Sequence, residues 1–237
     1  MICYDDLRND PNVCALIEAG NEALGVLGFT DHGYGHVCLT AKVAGEVLEK
    51  LGYDARTVEL ARIAGLLHDM GNAINRVNHA LSGALLAHDI LLRRGMEPKE
   101  AAAIITAIGN HDEKTAAAVT PLSAALILAD KSDVRRSRVR TPRDRDFDIH
   151  DRVNYAVVDS SLDVLPGEGY IVLRLRIDTE ICAVMDYFEI FLTRMTLCRS
   201  AAAFLGQRFE LIINETRWWW GGSSCGCRRC CRRRNRG

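Results

Sequence analysis

No stretch of this sequence approaches the ~18 uninterrupted apolar residues that a bilayer-spanning helix requires, so no membrane association is expected. The first twelve residues, MICYDDLRNDPN, are acidic and lack a basic segment followed by an apolar run. No secretory signal is therefore expected, and cytoplasm is the expected compartment. Proline is scarce, with five in 237 residues, and two of these, Pro98 and Pro121, stand where first-turn prolines open helices. A net excess of one charge is also missing, because the formal balance is only −1. That figure hides an asymmetry: residues 217–237 hold seven arginines and no acid, leaving 23 basic against 31 acidic groups in the preceding 216 residues, a balance of −8. An acidic body of this kind argues against a nucleic-acid coat protein. What is present is ordinary globular material, 48% hydrophobic and 26% charged, in a length that suits about one to two domains. Cys3, Cys14, Cys38, Cys182 and Cys198 are scattered and read as small core residues in a reducing compartment.

Periodicity predicts a helical first part. Residues 36–51 place Val37, Ala41, Ala44, Leu48 and Leu51 at helical spacing before Gly52. Residues 57–70 are apolar almost all round, the mark of a buried helix. Further helices are expected at 79–94, 98–110 and 121–135. After the charged stretch Arg135–Arg145 the pattern changes: residues 153–165 and 170–177 read as strands joined at Pro166-Gly167, followed by an amphipathic helix at 179–206 and a strand at 209–213. The expected fold is thus mainly α, a helical bundle over 1–145 with a small C-terminal α+β appendage (hairpin, long helix, strand) over 146–216. Residues 217–237, rich in Cys and Arg and without periodicity, are expected to be a disordered or anomalous tail. Their four thiols lack the separated pairs of a zinc module.

The chemistry concentrates in histidines and aspartates. His-Asp dipeptides recur at His68-Asp69, His88-Asp89 and His111-Asp112, and the helix face decides which of them matter. His68 follows Ala64 by four residues and Ala61 by seven, so it faces the bundle interior. His79 shares a face with Gly83, Leu86 and Ile90, whereas His88 is turned about 180° away at roughly 100° per residue. His111 continues the stripe of Ile104 and Ile108, Asp130 continues Leu126 and Ile127, and His36 borders the stripe of its own helix. Any one of these is more ordinarily a hydrogen-bonded core residue. Together, six such groups in one apolar core carry a large desolvation cost, which divalent metal ions offset by coordinating imidazole and carboxylate together. That ligand chemistry suits iron or manganese.

The order and contexts of His36 in GYGHV, His68-Asp69 in GLLHDMGN and Asp130 in LILADKSD make residues 30–140 or so resemble the HD-domain superfamily of metal-dependent phosphohydrolases. His79 in NHALSGA and His111 in GNHDE look like the additional ligands of two-metal members, such as diadenosine-tetraphosphate hydrolases and cyclic-dinucleotide phosphodiesterases. Asn72 stands where many relatives carry lysine, and Asn110-His111 where the cyclic-dinucleotide enzymes carry two histidines. The resemblance implies a helical HD bundle with two divalent ions: His36, His68, Asp69 and Asp130 at one, His79 and His111 at the other, and Asp69 bridging. His68 and Asp69 would be the catalytic pair, with a water between ions ~3.5–4 Å apart supplying hydroxide to phosphorus. Lys131, Arg135 and Arg136 are the expected phosphate contacts, out of a cluster that continues through Arg138 and Arg140. The implied partner is a small phosphorylated substrate, a nucleotide or similar phosphoester.

Two other readings use the same residues. Mixed-valence di-iron oxygenases of the HD fold share the six ligands, and oxygen consumption would reveal one. A non-catalytic nucleotide-sensing module would bind without turnover, yet none of the six ligands is missing. The appendage is expected to serve packing or homodimerisation.

Overall fold

The computed structural model describes residues 1–140 and 149–218. The expected tail lies outside the described residues from 219 onward, as does the expected boundary at 145/146. Among the described residues no helix is long and apolar enough to cross a membrane.

Two helices precede the first expected one: α1 (Tyr4–Arg8) and α2 (Pro11–Val26). Asp10 caps α2, its carboxylate accepting from the amides of Asn12 and Val13, with Pro11 in the first turn. The Asp-Pro pair and the stripe Val13, Ile17, Gly20 and Leu24 were signals available in the sequence. The bundle continues with α3 (Tyr34–Lys50), α4 (Ala55–Leu67), a 3-10 turn over Met70–Ala73, α5 (His79–Arg93), α6 (Pro98–Gly109) and α7 (Pro121–Ser132). All five expected helices are present, each within three residues of the predicted bounds.

The early end of α7, expected to reach residue 135, has a tertiary cause. It ends at Ser132 because Asp133 leaves the helix at φ −84°, ψ 82° and turns its carboxylate inward onto His36. A tertiary contact overrides local propensity here, so Lys131, Arg135 and Arg138 do not share a helical face. A second 3-10 turn covers Arg136–Arg138.

The bundle packs closely where side chains are absent. A Cβ on Gly65 would lie 2.5 Å from the Ala41 Cα and 2.7 Å from its amide nitrogen. Only glycine lets α4 press its backbone against α3, which brings the ends bearing His36 and His68 together.

The C-terminal part differs from expectation at its start. Residues 149–156 form a helix, α8 (Ile149–Ala156), and the strand β1 begins only at Val157 and runs to Leu165. Val153 and Ala156 are fully buried at a three-residue spacing, a helical rather than alternating pattern. β2 (Tyr170–Ile177) pairs antiparallel with β1 through the expected hairpin. α9 (Val184–Phe204) then crosses over to β3 (Arg208–Ile213), which pairs parallel with β2. It starts five residues later than expected because the Asp178 carbonyl collects the amides of Ile181 and Cys182 in a turn. A short β4 (Thr216–Trp218) closes the sheet, in the order β1-β2-β3-β4. The fold is mainly α with a small sheet at its C-terminal end. α9 packs on α7, and the two parts share a continuous apolar core running from Leu126 and Leu128 to Tyr187, Phe191 and Met195.

Candidate metal centre

The sequence-predicted ligands converge. His36 sits in the first turn of α3, His68 caps the end of α4, Asp69 follows it, His79 opens α5, His111 lies just past α6, and Asp130 is in the last turn of α7. Helix ends therefore meet at one point, and all four histidines are at most 3% exposed. His36 Nε2 is 3.3 Å from His68 Nε2, 3.4 Å from Asp130 Oδ1 and 3.7 Å from Asp69 Oδ2.

Asp69 is placed between two sets of imidazoles. Its Oδ2 lies 3.3 Å from His68 Nε2 and faces His36, while its Oδ1 lies 3.4 Å from His79 Nε2 and 3.6 Å from His111 Nε2. Within this assembly, His36, His68 and Asp130 form one group able to hold a metal ion, and His68, Asp69 and His111 form another.

Each ring is aimed by its second nitrogen. Nδ1 of His68 contacts the Gly65 carbonyl at 2.8 Å, that of His79 the Arg76 carbonyl at 3.1 Å, and that of His111 the Ile108 carbonyl at 2.6 Å. In each case the acceptor is three residues back. Such a contact fixes the Nδ1-H tautomer and leaves the Nε2 lone pair facing inward, the usual arrangement of a metal-binding histidine. His36 differs in using a carboxylate, its Nδ1 lying 2.8 Å from Asp133 Oδ2. His32, just before α3, is also held by a main-chain carbonyl, with Nδ1 2.7 Å from that of Thr30 two residues back and its ring edge-on to His36 at 5.4 Å. The donor set, imidazole nitrogens and carboxylate oxygens convergent within a few ångströms, fits a divalent metal ion.

The electrostatics agree with that fit. Burial raises the Asp69 carboxyl, but His68 and His111 outweigh it and hold Asp69 well below the usual carboxylate range. Burial likewise opposes ionisation of Asp130, and Lys131 and His36 reverse the effect. Burial pushes the His79 imidazole down to about 4, against the attraction of Asp69, so it is neutral near pH 7. His68 moves the other way, since Asp69 and Asp130 more than offset its burial.

A stability prediction follows with a definite sign. Between the ordinary histidine value of 6.5 and about 4, the unfolded chain binds a proton at His79 that the folded chain refuses, so stability falls as pH drops through that window. His32, also lowered by burial, adds to the loss, Asp69 and Asp130 extend it below the ordinary carboxylate range, and only His68 opposes it. The melting temperature of metal-free protein is expected to fall steadily from pH 7 to pH 4.5. A flat profile would contradict the placement of these groups.

The cluster opens into a cavity of about 320 Å³, within the range of small-ligand sites. Of the expected phosphate contacts, Lys131 lines it, with Nζ 2.6 Å from Asp130 Oδ2. Arg135 and Arg136 do not line it. Arg135 is turned to Asp133, donating from Nε at 2.6 Å, and Arg136 donates to the Tyr155 carbonyl while stacking on that ring. The physical reason is the early end of α7, which redirects the chain after Asp133. Arg138 lines the cavity but spends its donors on the Asp31 and Asp133 carbonyls, and Arg140 holds Phe29 and Asn21. These two arginines fasten the 29–32 loop that carries His32. Sequence reasoning missed Arg76, from the segment before α5, and Phe191 and Arg194, from α9, all of which line the cavity. Arg76 stands between the GLLHDMGN and NHALSGA motifs, whereas Phe191 and Arg194 stand near no motif and only the tertiary fold brings them in.

Comparisons with known proteins place the chain. It is 29% identical over 170 residues to an uncharacterized protein, MJ1020, of Methanocaldococcus jannaschii, an alignment covering 62% of this chain and 65% of that protein. The chain thus spans somewhat under two thirds of that relative's length. A solved structure from an uncultured Thermotogales bacterium, described as a predicted HD superfamily hydrolase, is 24% identical with a TM-score of 0.40, covering 55% of this chain and 73% of that one. The family model described as HD domain matches residues 33–156, the segment that carries every histidine and aspartate of the cluster. This chain belongs to the HD domain family.

Proposed function

We propose that this protein is a metal-dependent phosphohydrolase acting on a phosphoester or phosphoanhydride bond of a small, nucleotide-like substrate. The observation that carries the reading is the position of Asp69, which presents one oxygen to His36 and His68 and the other to His79 and His111. In this reading His36, His68, Asp69 and Asp130 would hold one divalent ion, and His79 and His111 a second, with Asp69 contributing to both. When bound, such ions supply electrophilic pull on a phosphoryl oxygen and acidify water at neutral pH.

The chain's own residues supply the rest. Lys131 places a buried cation beside Asp130, where it neutralises a non-bridging phosphate oxygen. Arg76 Nη1 lies 3.4 Å from His79 Nε2 and 3.3 Å from Asn72 Oδ1. A His79 nitrogen that ligates an ion cannot also accept from Arg76, so the guanidinium is free to meet substrate. The Asp133 carboxylate on His36 Nδ1 strengthens that imidazole as a donor. The C-terminal part, residues 146–216, closes one side of the cavity through α8 and α9.

The test is an assay of purified protein loaded with manganese or iron against nucleoside phosphates and bis(p-nitrophenyl) phosphate, with bound metal counted per chain. Hydrolysis with close to two ions per chain is the expected result. Oxygen uptake without phosphate release would overturn the proposal in favour of an oxygenase, and tight nucleotide binding without turnover would overturn it in favour of a sensor.

A further inference from the structure

Among the described residues, Arg194 lines the cavity from the C-terminal part and is paired with Glu113 in the loop after α6. Lys131 beside Asp130 and Arg76 beside His79 stand at the metal cluster, where the reading above puts the reacting phosphate, and Arg138 donates Nε and Nη1 to backbone carbonyls. Arg194 comes from α9, its guanidinium 4.3 Å from the centre of the Phe191 ring and its Nε 3.4 Å from Glu113 Oε2. Phe191 is itself nearly fully buried, held by Tyr187 at 5.0 Å between ring centres. A guanidinium placed over the face of a fixed ring is backed by that ring, and its two Nη groups can turn to an anion. A second guanidinium in the same cavity is backed in the same way, Arg76 lying 5.3 Å from the centre of Phe29.

From this arrangement we infer a second anion subsite, built by Arg194 on Phe191, that takes a phosphate other than the one being cleaved. The ligand class it selects is a compound with at least two linked phosphates, such as a nucleoside diphosphate, over one with a single phosphate. Glu113 is the resting counter-ion, and the incoming phosphate takes its place on the guanidinium. The inference rests on the hydrolase reading for which phosphate reacts, and it deepens that reading by assigning selectivity to the C-terminal part. Arg194 is a substrate-binding residue in this scheme and contributes nothing to ion binding.

The experiment compares wild type, Arg194→Ala and Arg194→Lys, each loaded with manganese, on ADP and on p-nitrophenyl phosphate, with bound metal and melting temperature measured for each. The expected result is a KM for ADP raised about 10- to 100-fold in Arg194→Ala, the size of a lost charged hydrogen bond. The KM for p-nitrophenyl phosphate should stay within about twofold, with unchanged metal content. Arg194→Lys should fall between, since it keeps the charge and loses the flat fork, and it carries the test if the alanine variant folds poorly. Equal losses on both probes, or no loss on ADP, would overturn the subsite. If wild type turns over neither probe, the hydrolase reading fails separately. Calorimetric binding of ADP to the manganese-loaded proteins then decides the subsite: about tenfold weaker binding by Arg194→Ala supports it, and equal affinity refutes it.

Discussion

Asp69→Asn is expected to cut phosphohydrolase turnover by about 10³-fold or more and to strip the protein of most of its bound metal. The substitution keeps the size of the side chain and removes its charge. It therefore deletes the carboxylate that faces both imidazole sets at 3.3–3.6 Å. Several kcal/mol of transition-state charge stabilisation depend on ions held at that point, and each 1.36 kcal/mol is a factor of ten in rate. A second readout separates loss of chemistry from loss of structure. His68 is held above its ordinary value by Asp69 and Asp130 against its own burial, so in Asp69→Asn its imidazole should titrate at lower pH, visible by NMR in metal-free protein. Full turnover with full metal content in this variant would end the assignment of Asp69 to the site.

Gly71→Ala is expected to lower stability by about 3 kcal/mol, a melting temperature drop of roughly 6–12 °C in a chain of this size, and to impair metal binding as well. A Cβ at residue 71 would collide with the His79 carbonyl oxygen and lie 2.5 Å from the Gly83 amide nitrogen and 2.6 Å from Ser82 Oγ. Two of these are backbone atoms of α5, so no rotamer change relieves the contact. The helix must move, and it carries His79 away from Asp69. Gly109→Ala is the matched control, because the nearest atom to its new Cβ is the Ala84 Cβ at 3.9 Å. That variant should melt at or slightly above the wild-type temperature. If Gly71→Ala behaves like Gly109→Ala, the close approach of the 3-10 turn to α5 is not as described.

The parts of this site that were legible in the sequence are those encoded by a period. His68 follows an apolar run, His111 follows Ile104 and Ile108 on a stripe, and Asp130 follows Leu126 and Ile127, so each side chain's direction could be read before any coordinates. His88, whose opposite helical phase predicts a solvated ring, is half-buried and belongs to neither of the two His/Asp groups. The arginines were read less well for the same reason. Lys131, Arg135 and Arg136 are expected at phosphate from a helix that continues to 135, and a long-range bond between Asp133 and His36, 97 residues apart, ends it at Ser132 instead. Phe191 and Arg194 were beyond reach altogether, since their helix is packed against α7 by tertiary contacts that no local pattern announces. α2 was different: its Asp-Pro start and buried stripe obey ordinary rules, and its place beside the 3-10 turn after Asp69 makes it a support of the site.

The three-residue step between His68, His79 and His111 and the carbonyls that hold their Nδ1 atoms has a thermodynamic consequence. Each ring is bolted to its own stretch of main chain, so folding has already frozen the torsions that an empty coordination site would otherwise leave loose. An ion arriving from solution would find these three imidazoles already aimed, and little of its binding free energy would go to ordering their rings.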